Sequence, residues 1–78
     1  MTIGIYKLVF PNTKKVYIGQ SIDIERRYKQ HIYNMSNYKS SILLNEAFNN
    51  YGIPSIEILE VVYDIQELTN KERQYIHQ

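Results

Sequence analysis

The pattern of apolar and polar positions predicts two strands joined by a turn at the start of the chain. Residues 3–10 are rich in side chains that favour strands. Residues 11–14 (Pro-Asn-Thr-Lys) supply residues typical of turns, and residues 15–20 return as the second strand. We therefore expect a β-hairpin.

A turn centred between residues 12 and 13 determines which hairpin residues face each other. Leu8 is then opposite Tyr17, and Tyr6 is opposite Gly19. Tyr6 and Tyr17 become diagonal neighbours on one face of the sheet, with backbones about 7–8 Å apart. Glycines at positions 4 and 19 are expected to permit close backbone approach or packing across the strands.

A helix is predicted over residues 24–36, with Asp23 as its N-cap and Ser21 as the alternative. Helical spacing places Arg27 and His31 beside the apolar stripe of this helix, one above the other and four residues apart. The stripe itself consists of Ile24, Tyr28, Ile32 and Met35.

A second helix is predicted to begin after Ser40 or Ser41, to end at Tyr51 and to stop at Gly52. We expect it to bury Leu43, Leu44, Ala47, Phe48 and Tyr51. The alternation of residues 55–63 then predicts a third strand.

The final helix, predicted over residues 65–78 with Asp64 as its cap, has a carboxylate on its apolar side. Glu72 lies about 40° around the helix from Leu68, within an apolar arc. The arc is formed by Ile65, Leu68, Tyr75 and Ile76. An ionised carboxylate that faces a core requires a cation or a metal. A buried ion pair with Arg27 and a metal ion are the two alternatives.

The order β-β-α-α-β-α predicts one α+β domain over residues 1–78. The chain has 44% hydrophobic residues, which suffices for a modest core, and no cysteine, which fits a reducing compartment. Its net charge of +1 is unevenly distributed, because residues 1–40 carry about +5 and residues 41–78 about −4. A basic half favours a polyanionic partner, although lysines scattered over a surface would explain it equally well.

Short motifs in the predicted hairpin and helices match a known family. Gly4-Ile5-Tyr6 is followed, after ten intervening residues, by Tyr17-Ile18-Gly19. Residues 21–31 resemble the family's serine, arginine and histidine block, and residues 68–72 resemble its leucine-to-glutamate block. In this order the motifs are similar to those of the GIY-YIG nucleases, above all the catalytic modules of phage intron-type homing endonucleases.

The resemblance implies a three-stranded antiparallel sheet flanked by three helices and a Mg²⁺-dependent DNA endonuclease that makes one nick per domain. Glu72 would bind a single Mg²⁺, for which Mn²⁺ could substitute, and Arg27 would contact the scissile phosphate. Tyr6 would act as the base or orient the water, Tyr17 would contact a phosphate or position Tyr6, and His31 would relay a proton. Weaker phosphate contacts are expected from Arg26, Lys14, Lys15 and Lys29.

The resemblance also implies DNA as the partner, no membrane, and an intracellular protein of phage or bacterial type. The family usually continues to an asparagine beyond the glutamate helix, so we expect its C-terminal segment and a separate DNA-binding domain to lie outside this chain. The alternative function is a non-catalytic nucleic-acid-binding module, and a purely structural domain is a third.

Overall fold

The computed structural model describes residues 1–76 and contains three strands and three α-helices. The strands are β1 (Gly4–Val9), β2 (Val16–Ser21) and β3 (Ser55–Val61). The helices are α1 (Ile24–Ser36), α2 (Ile42–Tyr51) and α3 (Leu68–Ile76), and a single 3₁₀ turn over Ile65–Glu67 precedes α3. The order β-β-α-α-β-α confirms the predicted α+β fold.

The sheet is antiparallel with the order β2-β1-β3, so that β1 lies in the centre. The predicted hairpin register is confirmed, since Tyr6 pairs with Gly19 and Leu8 with Tyr17. The turn residue Asn12 adopts φ 61°, a left-handed conformation that asparagine tolerates. The pairing of β1 with β3 contains a register shift, because Ile5 pairs with Glu60 whereas its neighbour Tyr6 pairs with Ile58.

The sheet separates two apolar clusters, because successive side chains of a strand point to opposite faces. Tyr6 and Leu8 belong to the larger cluster, which α1 and α2 complete. Ile5 belongs to the smaller cluster with Val62 and Leu68 at the start of α3. The predicted arrangement, three helices flanking one sheet, is therefore confirmed.

The caps of the first two helices are as predicted. The Asp23 side chain accepts a hydrogen bond from the backbone N–H of Arg26 at 3.2 Å, which selects Asp23 over Ser21 as the cap of α1. Ser41, rather than Ser40, caps α2. Gly52 ends α2 with φ 89°, a backbone conformation that favours glycine.

Two expectations about buried side chains are wrong. Leu43 was expected in the core but is 78% exposed, because α2 directs Leu44 and Ala47 inwards. The apolar arc of the last helix is narrower than predicted, since Ile65 and Ile76 are 58% and 51% exposed.

The last helix also begins later than predicted. Asp64 caps the 3₁₀ turn instead of an α-helix, and α3 starts at Leu68. The predicted helical residues 77 and 78 lie outside the described residues. Within residues 1–76, no helix has the length and apolarity needed to cross a bilayer.

Candidate active site

A cavity of about 300 Å³ lies at the junction of β2, α1 and the connection from α1 to α2. Tyr17 of β2 and both Arg27 and His31 of α1 line it. Its other polar lining residues are Asn34, Lys39, Ser40 and Ser41, and Leu44 adds one apolar side chain. We call this cavity the cleft. Three of the five residues predicted for the catalytic site therefore meet in one place.

Tyr6 lies against His31 and is almost completely buried. Its hydroxyl oxygen is 2.7 Å from Nε2 of His31, and the two residues are 1% and 3% exposed. The His31 ring also meets both tyrosine rings edge to face, with centroids 5.8 Å from Tyr6 and 5.5 Å from Tyr17. The diagonal placement of the two tyrosines thus creates a seat for the histidine ring.

Gly19 makes room for this arrangement. A Cβ atom at position 19 would lie 2.6 Å from the Tyr6 hydroxyl oxygen and 2.7 Å from the ring carbon that carries it. Only a residue without a side chain lets the Tyr6 ring cross the neighbouring strand and reach His31. Gly4 has an equivalent role on the other side, where a Cβ would collide with the carbonyl of Glu60. The expected close approach is confirmed at both glycines.

Burial sets the protonation of the hydrogen-bonded pair. Burial, and to a lesser extent the positive charge of Arg27, lower the pKa of His31 from 6.5 to about 4. Burial also raises the pKa of Tyr6, and the Arg27 guanidinium offsets only part of that rise. At neutral pH the imidazole and the phenol are therefore both uncharged.

Arg27 lies between two cavities. It is half-buried, and its Nη1 donates a hydrogen bond of 2.8 Å to Oε1 of Gln30 on the next turn of α1. It lines the cleft on one side and, on the other, a shallower cavity of about 180 Å³ beside Arg26 and Ser21. A guanidinium held in this position presents its remaining donors to an anion that enters from either side.

Glu72 is half-buried on the side of α3 that also carries Leu68 and Tyr75. Its negative charge contributes to the raised pKa of Tyr6, although burial and the electrostatic effect of Tyr17 contribute more. The Glu72 carboxylate therefore lies within electrostatic range of the site. Among residues 1–76, neither a salt bridge nor a hydrogen bond joins Glu72 to Arg27. The alternative of a closed Glu72–Arg27 ion pair is therefore not formed.

Helix α3 is held in place by the residues that surround Glu72. Lys71 Nζ lies 3.2 Å from Oε2 of Glu60, and the Tyr75 hydroxyl donates a 3.0 Å hydrogen bond to Oε1 of the same carboxylate. Because of the register shift, Glu60 and its neighbour Leu59 both contact the α3 side of the sheet. Contacts one residue before and three residues after Glu72 thus set the rotation of the helix about its axis.

The basic residues expected to make weaker phosphate contacts are all exposed. Arg26 lines the shallower cavity next to Arg27. Lys15 lies 5.9 Å from the centre of the Tyr51 ring and lines neither the cleft nor the shallower cavity. Lys14 and Lys29 line neither cavity.

Three polar residues of the cleft were not predicted to line the site from the sequence: Asn34, Lys39 and Ser40. Asn34 could have been found, because it continues the row of Arg27 and His31 by one more helical turn. The other two lie on the connection between α1 and α2, directly after Tyr38, a residue of the same connection with φ 57°. No periodic pattern signals the path of such a connection.

Comparison with known proteins identifies the fold family. The model of the GIY-YIG catalytic domain matches residues 2–78. The chain belongs to the GIY-YIG catalytic domain family. The GIY-YIG domain is also 38% identical, over 53 residues, to intron-associated endonuclease 1 of enterobacteria phage T4. That match covers 67% of this chain but only 22% of the phage protein.

Two solved structures resemble the GIY-YIG domain over nearly its whole length. Both are catalytic domains of the homing endonuclease I-TevI, one of them a mutant, and each is 31% identical to this chain. The mutant has a TM-score of 0.89, with 99% of this chain and 82% of the other covered. The second has a TM-score of 0.86, with 96% and 85% covered. The family resemblance inferred from the motifs is thereby confirmed.

Proposed function

We propose that this GIY-YIG domain is the catalytic module of a homing or related endonuclease and hydrolyses a DNA phosphodiester bond with the help of one Mg²⁺. The main support for the proposal is that Tyr17, Arg27 and His31 all line one cleft. Tyr6 lies behind them and is hydrogen bonded to His31. The family match and the likeness to homing-endonuclease catalytic domains support it. The full set of proposed catalytic residues is Tyr6, Tyr17, Arg27, His31 and Glu72.

The carboxylate of Glu72 fits a magnesium ion better than a zinc ion. Residues 1–76 contain no cluster of three or more histidine, cysteine, aspartate or glutamate side chains, which a zinc site would need. Mg²⁺ binds oxygen, keeps several waters and commonly uses one or two protein carboxylates. When bound, this ion supplies positive charge next to a phosphoryl oxygen. Mn²⁺ would satisfy the same oxygen donor.

We propose that the neutral Tyr6–His31 pair accepts a proton from the attacking water. Because burial raises the pKa of Tyr6, a free phenolate is rare at neutral pH and a second acceptor is needed. In the proposed step, the water proton moves to the phenol oxygen of Tyr6 as the phenol proton moves to Nε2 of His31. The water oxygen bonds to phosphorus, the bond to the leaving oxygen breaks, and the proton held by His31 passes back through the Tyr6 hydroxyl to that leaving oxygen.

Arg27 and Tyr17 are proposed to hold the phosphate. The guanidinium can donate two parallel hydrogen bonds to phosphate oxygens and neutralise the charge that develops on them. The half-buried Tyr17 lines the cleft, whereas Tyr6 lies behind it, so we assign phosphate contact to Tyr17 and proton transfer to Tyr6. A single carboxylate and a single cleft imply that one domain cuts one strand, and that double-strand cleavage requires two domains or two successive events.

DNA backbone on either side of the scissile phosphate is proposed to follow the basic side chains around Arg27. Lys39 lines the cleft and Arg26 lines the shallower cavity beyond Arg27. Both side chains are exposed, so they would add affinity that depends on salt and not on sequence.

A plasmid assay tests the proposed function. The chain should convert supercoiled plasmid to the nicked circle in Mg²⁺ and leave it intact in EDTA. Glu72→Gln should lower the nicking rate by at least about 100-fold while DNA binding, measured by fluorescence anisotropy, persists. Glu67→Gln is the matched control, because this exposed glutamate lies in the 3₁₀ turn before α3.

A second pair of variants tests the phosphate-binding role. Arg27→Ala should lose nicking, whereas the exposed neighbour Arg26→Ala should change it by only a few-fold. Equal nicking by Glu72→Gln and the parent would refute the metal assignment. Salt-dependent DNA binding without any nicking would support the alternative of a non-catalytic binding module, and no salt-dependent binding would indicate a structural domain.

A further inference from the structure

A second and larger cavity adjoins the cleft and has the opposite character. It has a volume of about 380 Å³ and lies between α2 and the start of β2. Its walls are formed by apolar side chains: Phe10, Val16, Leu43, Leu44 and Ala47. Its size falls within the roughly 300–1,000 Å³ typical of small-ligand pockets. We call this cavity the apolar groove.

The apolar groove and the cleft are continuous. Tyr17, Ser41 and Leu44 line both of them, so the two cavities lie side by side, and one nucleotide is long enough to place its phosphate in the cleft and its base in the groove. The positively charged residues Arg27 and Lys39 line the cleft but not the apolar groove. A ligand that fits both cavities is therefore charged at one end and flat or apolar at the other.

Two polar side chains of the apolar groove suit a base better than a phosphate. Glu46 carries a negative charge, which repels phosphate but accepts hydrogen bonds from the amino and imino groups of nucleobases. Asn50 offers both a donor and an acceptor. The remaining charged lining residue, Lys15, lies near the face of the Tyr51 ring.

We propose that the apolar groove receives one unstacked nucleobase of the DNA strand whose phosphate occupies the cleft. The proposal rests on the proposed function, since the phosphate places the nucleotide. The base would enter next to the Tyr17 ring, which is shared by both cavities, and Leu43 would cover its outer side. A base that is already mismatched should enter more readily, because less pairing is lost.

Leu43 and its neighbour Ile42 provide a matched pair of variants. Both side chains are exposed, at 78% and 76%, so neither substitution removes a buried contact. Leu43 lines the apolar groove, and Ile42 does not. We expect Leu43→Ser to lower kcat/KM for plasmid nicking roughly 10-fold, as loss of contact with one base would. Ile42→Ser should remain within about twofold of the parent.

A fluorescent base reports the proposed movement directly. After the nick position is mapped, a duplex with 2-aminopurine at either nucleotide flanking the nick is titrated with protein carrying Glu72→Gln, which prevents cleavage. We expect the fluorescence to rise at one of these two positions, because 2-aminopurine emits more strongly when it leaves the base stack. The rise should persist with Ile42→Ser added and disappear with Leu43→Ser added.

The outcomes separate this inference from the proposed function. If the parent nicks DNA but Leu43→Ser behaves like Ile42→Ser in both assays, the apolar groove takes no base, and the nuclease assignment stands. The same holds if neither flanking 2-aminopurine responds. If the parent nicks no DNA under any metal condition, the proposed function fails and this inference fails with it.

Discussion

Acidification should weaken the fold through one histidine. The pKa of His31 is about 4 in the folded protein and 6.5 for the free side chain, so the unfolded chain binds the extra proton first as the pH falls. The stabilisation is complete above pH 6.5 and is lost progressively as the pH falls towards and below 4. A shift of one pKa unit corresponds to about 1.4 kcal/mol, so the free energy of unfolding should fall by about 2 kcal/mol between pH 7 and pH 5.

Urea unfolding at pH 7, 6 and 5, followed by circular dichroism, measures this loss. The matched variant is His31→Gln, which keeps a side chain able to accept a hydrogen bond from Tyr6 but does not titrate. Both proteins contain His77, so the difference between their pH profiles isolates His31. The range stops at pH 5 because Glu25, whose pKa is lowered by its hydrogen bonds to Thr2, begins to contribute below that value.

The reasoning would be refuted by either of two results. A parent protein whose free energy of unfolding is the same at pH 7 and pH 5 would show that His31 titrates normally and is not buried as described. A His31→Gln variant with the same slope as the parent would assign the effect to another group. The stability assay needs no DNA, so its outcome is independent of the proposed nuclease activity.

Two further substitutions test the framework of the site. Gly19→Ala should push the Tyr6 hydroxyl away from His31, because the new Cβ would lie 2.6 Å from the hydroxyl oxygen. We expect nicking to fall at least about 10-fold. Loss of the raised Tyr6 pKa in an ultraviolet titration would confirm the movement. Asp23→Ala removes the cap of α1 and should lower the free energy of unfolding by about 1 kcal/mol in a urea titration, whereas Lys29→Ala, at an exposed position of the same helix, should have a smaller effect.

Features set by neighbouring residues were predictable from the sequence. The turn residues between the two strands were enough to give the hairpin register, and Asp23 marked the start of α1. The row of Arg27 and His31 followed from helical spacing alone. Within this site, local patterns therefore placed the hairpin tyrosines and the two α1 side chains on the correct faces.

Features set by packing between distant segments could not be predicted. His31 was placed at the border of an apolar stripe, but it is 3% exposed because the hairpin tyrosines close over it. Leu43 and Leu44 are equally apolar, and only the position of α2 against the sheet decides which one is buried. Ile65 remains exposed because the chain turns through a 3₁₀ segment before α3 begins.

The register shift between β1 and β3 links positions 60 and 71, which both lie outside the cleft. It brings Glu60 to the α3 side of the sheet, where Lys71 and Tyr75 both contact its carboxylate. An exposed or half-exposed ion pair contributes little to stability, but here it sets the direction in which Glu72 projects. Positions 60 and 71 should therefore vary as a pair among related sequences, and a library that randomises one of them should recover the other as its compensating site.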